Sequence, residues 1–439
     1  MYDMKSSVNK TSNKLKRLLF LFIRGEGVEI ILSIAIIVLL VCVKRYFDPS
    51  LQVFEWSTFS SLVFTAGLAL LVRFIRRLVF NRIEDGAKLT QNYQELVDTY
   101  KMESLVTVTN GNDESEKIAC IKTADLWQRN IKIVDDPHTY FELPDIACNN
   151  YKDLLRSHLT SVVYNNTNIR VKRWEVQGDS LCIYTERTTY FNSLVTNRAM
   201  DYRLEDGLSI RSVLECGPML RPLEASSLSN HLGFNGMLET SDGYFPFVKR
   251  KANVSIGKRT YGNSVGASLK VKYAIDLNSG KKDVTEGGLA HAIKKEIEDE
   301  LGIEISKVDY KIVCAYRDLL EGGKPQLFVY YRTSLTMKDV NECFYKANSI
   351  VKHSNEHSFE TDSSNRKVAK MMTDGVELVW LSKETIRNPH KTQIHNHVIK
   401  TFVIENDIEI AKDLTVLPSA AASVVFLREY LNRVENAND

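Results

Sequence analysis

The 439-residue chain has seven cysteines but no CxxC pair. Their odd number and scattered positions argue against a disulfide framework, and a reducing compartment is the simplest expectation for everything after residue 80. An excess of one charge is lacking too. There are 57 basic and 55 acidic residues, for a net charge of +2. No polyelectrolyte character points to a DNA or RNA polymer as partner. The length allows two or three domains.

Charge is missing locally in two places. Residues 30–43 (IILSIAIIVLLVCV) and 56–72 (WSTFSSLVFTAGLALLV) contain no charged side chain. With Val28, Tyr46 and Phe47 around the first run and Arg73-Phe74-Ile75 after the second, each approaches the roughly 20 residues that cross a bilayer. Neither has the polar face of an interfacial helix, and no small-x-small site follows Val43 to mark a cleaved signal peptide. A buried soluble hairpin is the bland alternative for the first run. The expectation is a two-helix transmembrane hairpin over 28–80. Lys5, Lys10, Lys14, Lys16, Arg17 and Arg24 precede it, and Arg76, Arg77 and Arg82 follow it. Only Lys44 and Arg45 lie between the runs, so the positive-inside rule places both termini in the cytoplasm.

Four regions follow from this reading: a basic tail (1–27), the hairpin (28–80), a connecting and accessory α+β region (81–225) and a last region (226–439). In the third, 84–103 has helical spacing of Leu89, Tyr93, Leu96, Val97 and Tyr100, either packing on its own domain or self-associating. Asn168–Trp174 and Ser180–Thr189 read as strands around Gly178-Asp179. No chemical constellation is legible between 120 and 225. In the last region, His231–Thr240 and Tyr244–Lys249 read as a hairpin around Ser241-Asp242-Gly243. Ala267–Ile275 alternates like a strand. Two further strands flank Glu321-Gly322-Gly323, and Pro418 opens a closing helix. The class expected is α+β.

The chemistry concentrates in KEIEDELGI at 295–303. Glu296, Asp299 and Glu300 share one helical face, whereas Ile293, Ile297 and Leu301 form a core stripe. Gly302 suits a left-handed C-cap. Three carboxylates so placed suit a hard divalent cation, which in turn handles phosphates. Gly262-Asn263-Ser264-Val265-Gly266 matches the GxSxG nucleophile elbow, but a strand-like stretch follows it in place of a helix. Lys249, Arg250, Lys258 and Arg259 could contact phosphates, and Tyr261 could stack on a base.

The nine residues at 295–303 resemble the second half of the Nudix box, with Lys295 for its arginine and Asp299 for its first paired glutamate. The first half is degenerate. Gly287 stands where the glutamate belongs, Glu286 is one residue early, and Lys281 replaces the leading glycine. The order of strands and helices over 226–439 is similar to a Nudix fold, an α/β/α sandwich. The resemblance implies Mg2+ or Mn2+ on Glu296, Asp299 and Glu300, with Glu296 and Glu300 catalytic. Joined to a membrane hairpin, the head resembles the two-transmembrane-plus-Nudix effectors of bacterial cyclic-oligonucleotide antiphage systems (CBASS), whose head is the SMODS-associated Nudix domain. That likeness implies a multi-pass protein of the bacterial inner membrane. A cyclic nucleotide second messenger would bind the head, the protein would homo-oligomerise, and the helices would disrupt membrane lipid, causing abortive infection. The alternative is a membrane-tethered, metal-dependent hydrolase of a nucleoside diphosphate derivative.

Overall fold

A computed structural model describes residues 88–439, apart from 112–113, 159–160, 162–164, 253, 276–281, 354–358, 362–366, 370–374 and 438–439. Residues 85–439 form one compact unit. The expected fold class is corrected here. Both expected spans, within 28–80, lie outside the described residues, and no described helix is long and apolar enough to cross a membrane. The described chain is mixed α/β, with three sheets of three or more strands and a two-stranded ribbon.

The strands are β1 (Leu105–Thr109), β2 (Ser115–Asp125), β3 (Asn130–Tyr140), β4 (Thr167–Gln177), β5 (Ser180–Thr189), β6 (Gly233–Glu239), β7 (Tyr244–Arg250), β8 (Tyr261–Gly262), β9 (Val265–Ser268), β10 (Val308–Asp318) and β11 (Lys324–Thr333). After them come β12 (Phe359–Thr361), β13 (Lys367–Ala369), β14 (Gly375–Ser382), β15 (Gln393–Ile394), β16 (Val398–Glu405) and β17 (Ile408–Thr415). The helices that matter below are α1 (Tyr93–Thr99), α2 (Val271–Ala274), α3 (Glu286–Leu301), α4 (Met337–His353) and α5 (Pro418–Asn436).

The main sheet runs β1-β2-β10-β11-β6-β9, with β11 and β6 parallel. A second sheet runs β15-β16-β14-β7-β8, with β17 added to β16. The third is β3-β5-β4. The pair β6 and β7 departs from the expected hairpin. Gly243 turns the chain at φ 82, but β6 then pairs with β11 and β9 while β7 pairs with β14 and β8. The turn carries the chain from one sheet to the other. Two sheets linked by this turn form in place of a local hairpin.

Period-2 alternation explains the layering. On β11, Leu327, Val329 and Tyr331 join the core that holds α3, whereas Phe328 and Tyr330 join the core that holds α5. On β6, Phe234 and Leu238 face the first core and Met237 the second. The second sheet closes over α5 in that second core. Each such aliphatic or aromatic side chain contributes about 1.5–3 kcal/mol on burial.

α1 is shorter than the amphipathic pattern over 84–103 suggested. Asn92 caps it by accepting from Glu95 N, and Leu96, Val97 and Tyr100 pack inward. Tyr100 Oη donates to Glu215 O at 2.6 Å, so this face is used within its own unit. The region 81–225 also joins the main sheet. β2 pairs with β10, and Asn168 and Arg170 bridge to Lys270 and His231. The expected strand at 267–275 stops at Ser268, and α2 takes over.

α3 begins at Thr285, whose side chain accepts from Gly288 N at 3.0 Å. It ends at Gly302, φ 71, as the sequence predicts. Ile293, Ile297 and Leu301 are fully buried. Gly288 has a separate reason to be glycine: a Cβ there would stand 1.8 Å from the Ala274 carbonyl oxygen, where the end of α2 meets α3. At Gly287 a Cβ would meet only Thr285 Oγ1, at 4.0 Å. Gly288→Ala is expected to cost about 2 kcal/mol by forcing backbone apart, whereas Gly287→Ala should gain about 0.5 kcal/mol from helix propensity and reduced unfolded-state freedom. Urea denaturation of the two variants side by side checks the contrast. Equal effects would refute the close α2–α3 contact.

Candidate functional site

In front of α3 lies a cavity of about 220 Å³. Four basic side chains (Arg198, Arg250, Lys270, Lys324) and three acidic ones (Glu296, Glu300, Glu321) line it, with Asn166, Asn168, Tyr190, Asn235 and Gln326. A smaller cavity of about 50 Å³, lined by Tyr261, also borders Arg250 and Glu300. The walls come from both halves of the described chain. Asn166, Asn168, Tyr190 and Arg198 belong to the region in which the sequence shows no chemistry. The backbone ladder Leu232 N→Ile169 O (2.7 Å), Ile169 N→Leu269 O (3.1 Å) and Leu269 N→Leu232 O (2.8 Å) seats them against the rest.

Two ion-pair systems set the electrostatics. Glu321, 4% exposed at its side chain, lies 3.3 Å from both Arg198 Nε and Lys324 Nζ. Arg198 Nη1 also donates to Tyr190 Oη at 2.5 Å and to Ser255 Oγ. Lys324 is fully enclosed. Burial presses its pKa down against the pull of Glu321, and the net shift is downward. The second system is on α3. Lys270 Nζ stands 3.0 Å from Glu296 Oε1 and 3.4 Å from Oε2. The Glu296 side chain is 4% exposed and that of Lys270 is 23% exposed. Burial of the carboxylate raises its pKa despite the opposing charge of Lys270. Burial opposes the charge on Lys270, but Glu296, Tyr273 and Asp299 outweigh it and raise the lysine's pKa.

The expected site residues separate into two groups. Glu296, Glu300 and Arg250 line the larger cavity, and Tyr261 the smaller. Asp299 lines neither; it accepts from Tyr273 Oη at 3.0 Å and stands 3.4 Å from Lys295 Nζ. Lys249 is paired with Glu377 at 3.1 Å and lines neither cavity. Lys258 is buried within the electrostatic reach of His158, and Arg259 is exposed in a turn at φ 61. Two glutamates could replace the one missing at Gly287, but both are otherwise engaged. Glu286 accepts from Ile133 N at 2.8 Å, and Glu377 holds Lys249. Ser264 of the GxSxG motif is structural: it donates to Pro246 O at 2.7 Å and accepts from Leu238 N at 2.9 Å.

A divalent cation on Glu296, Asp299 and Glu300 needs three converging oxygens. Here Tyr273 and Lys295 hold Asp299, and an ammonium stands on Glu296. Among the described residues, no group of three or more His, Cys, Asp or Glu is placed to hold a metal ion. The residues do not fit the expected Mg2+ or Mn2+. Sequence reasoning missed Arg198, Lys270 and Lys324. Nothing in their local sequence marks them, because each reaches the cavity only through tertiary packing: Arg198 from a short turn at Asn197–Ala199, Lys270 from the segment bridged to Asn168, and Lys324 from the start of β11.

No protein-family model matches the sequence, and no curated protein matches it. Solved structures do match. One is the crystal structure of the DR0079 protein of Deinococcus radiodurans, at 15% identity over 35% of this chain and 68% of that one. Its TM-score is 0.21, too low to support any inference about fold or activity.

Proposed function

We propose that this chain is an effector of a bacterial antiphage cyclic-oligonucleotide (CBASS) system, and that its described region binds the nucleotide signal instead of hydrolysing it. The observation that carries the reading is the cavity before α3, where Arg198, Arg250, Lys270 and Lys324 converge with amide and hydroxyl side chains. Basic groups that converge on a half-open cavity with a mainly polar lining suit phosphate, and the amides suit base edges or ribose. The lack of fit to a metal favours binding over hydrolysis. The bound form is proposed to self-associate and act at the inner membrane through the N-terminal residues, which lie outside the described ones.

Calorimetric titration of the full chain with cyclic di-AMP, cyclic di-GMP and cyclic GMP-AMP tests the reading. One of them should bind, and Arg250→Ala should weaken it about 10- to 100-fold, the worth of a charge-assisted contact. Binding by none of the three would sink the proposal. Metal-dependent turnover of a nucleoside diphosphate derivative, lost in Glu300→Gln, would establish the hydrolase in its place. Leakage from liposomes carrying the full chain, with and without the bound nucleotide, tests the membrane step.

A further inference from the structure

We propose that Lys270 is the built-in cation of this pocket. Its ammonium takes the place of a divalent ion on Glu296 and meets the ligand's phosphate directly, so that binding needs no metal. This rests on the nucleotide-binding reading above.

Three observations carry it. The first is position. Nζ stands 3.0 Å from one oxygen of Glu296 and 3.4 Å from the other, the ground a metal bound to that carboxylate would need. A second cation there would meet a like charge at contact distance. The second is fixation. The backbone of Lys270 is bridged to Asn168, Leu269 before it is hydrogen-bonded on both sides, and Nζ lies over the Tyr273 ring at 5.0 Å. Tyr273 in turn holds Asp299, so one short segment both fills the cation's place and draws off the third carboxylate. The third is direction. Lys270 lines the cavity beside Asn168, Gln326 and Glu300. An ammonium has three donors, and Glu296 does not consume all of them. The close approach at Gly288 lets α2 bring this segment against α3.

The experiment follows Mn2+ binding to the full chain by the loss of the free-ion electron paramagnetic resonance signal. Wild type is expected to take up no Mn2+ at the site. Lys270→Met should take up one ion, and adding Glu296→Gln to that variant should abolish the uptake. In parallel, binding of whichever cyclic dinucleotide the wild type accepts should be unchanged by EDTA and at least tenfold weaker in Lys270→Met. Wild-type Mn2+ uptake that Glu296→Gln removes would overturn the proposal, and so would loss of nucleotide binding in EDTA. A folded Lys270→Met that takes up no Mn2+ would also count against it. If Lys270→Met does not fold, the wild-type Mn2+ and EDTA arms still decide. If no cyclic dinucleotide binds, the nucleotide reading fails while the Mn2+ arm still judges what Lys270 does to the metal site.

Discussion

Asp135→Ala is expected to destabilise the protein by about 4 kcal/mol, the cost of leaving a buried charge without its partner. Asp135 and Arg187 are each 3% exposed at the side chain. Arg187 donates through Nη1 to Oδ1 at 2.7 Å and through Nη2 to Oδ2 at 2.6 Å. The same carboxylate accepts from Thr185 Oγ1 at 2.6 Å and from Val284 N at 2.7 Å. Arg187 Nη2 reaches Lys282 O at 2.8 Å. One carboxylate thus joins β3, β5 and the segment entering α3. Removing it strands a guanidinium and a backbone donor together. Asp135→Asn keeps part of the hydrogen bonding and should lose less, about 2 kcal/mol. Adding Arg187→Leu to Asp135→Ala should recover part of the loss, because the stranded charge goes with it. Urea denaturation followed by tryptophan fluorescence gives all three values. A loss under about 1 kcal/mol for Asp135→Ala would mean that the clamp is solvent-relaxed, in the range of surface pairs.

Lys270→Met is expected to cost about 3 kcal/mol at neutral pH, for a related reason with a distinct pH signature. The methionine keeps the aliphatic stem but leaves Glu296 enclosed with no cation at 3.0 Å. Burial already raises the Glu296 pKa above its ordinary value while Lys270 pulls it down. Without the lysine it rises further. A carboxyl whose folded pKa lies above its unfolded one binds more protons when folded. Its stabilising contribution is therefore complete below the unfolded pKa and is lost as pH rises through the folded one. The deficit of Lys270→Met should accordingly be largest at neutral and mildly alkaline pH and shrink in acid. Glu296→Gln in the same chain should restore most of the loss and flatten the pH dependence. Urea midpoints at pH 5 and pH 8 read this out; a deficit independent of pH would exclude Glu296 as its source.

What was legible in the sequence had local causes. The acidic face of α3, its apolar stripe and its Gly302 cap follow from a repeat of 3.6 residues and one left-handed position. The hairpin of β10 and β11 and the proline at the start of α5 follow from turn chemistry and a missing backbone donor. Elements went wrong where a local pattern competed with packing. The alternation over 267–275 continued past Ser268 on paper, but α2 forms there and settles against Gly288. The turn at Gly243 looked like a hairpin, yet the two strands it joins are claimed by different sheets. The region 120–225 looked chemically silent because Asn166, Asn168, Tyr190 and Arg198 acquire a purpose only opposite Glu321 and Lys270.

The amino-acid order by itself determined that three acids would share a helical face. Tertiary structure decided what those acids do. It gave Glu296 a lysine 26 residues earlier in the chain, gave Asp299 a tyrosine from the same segment, and left Glu300 on a cavity lined by two arginines from distant parts of the chain. A helical repeat sets which residues share a face. A charge's partner is set by distance through space, and packing between segments far apart along the chain fixes that distance.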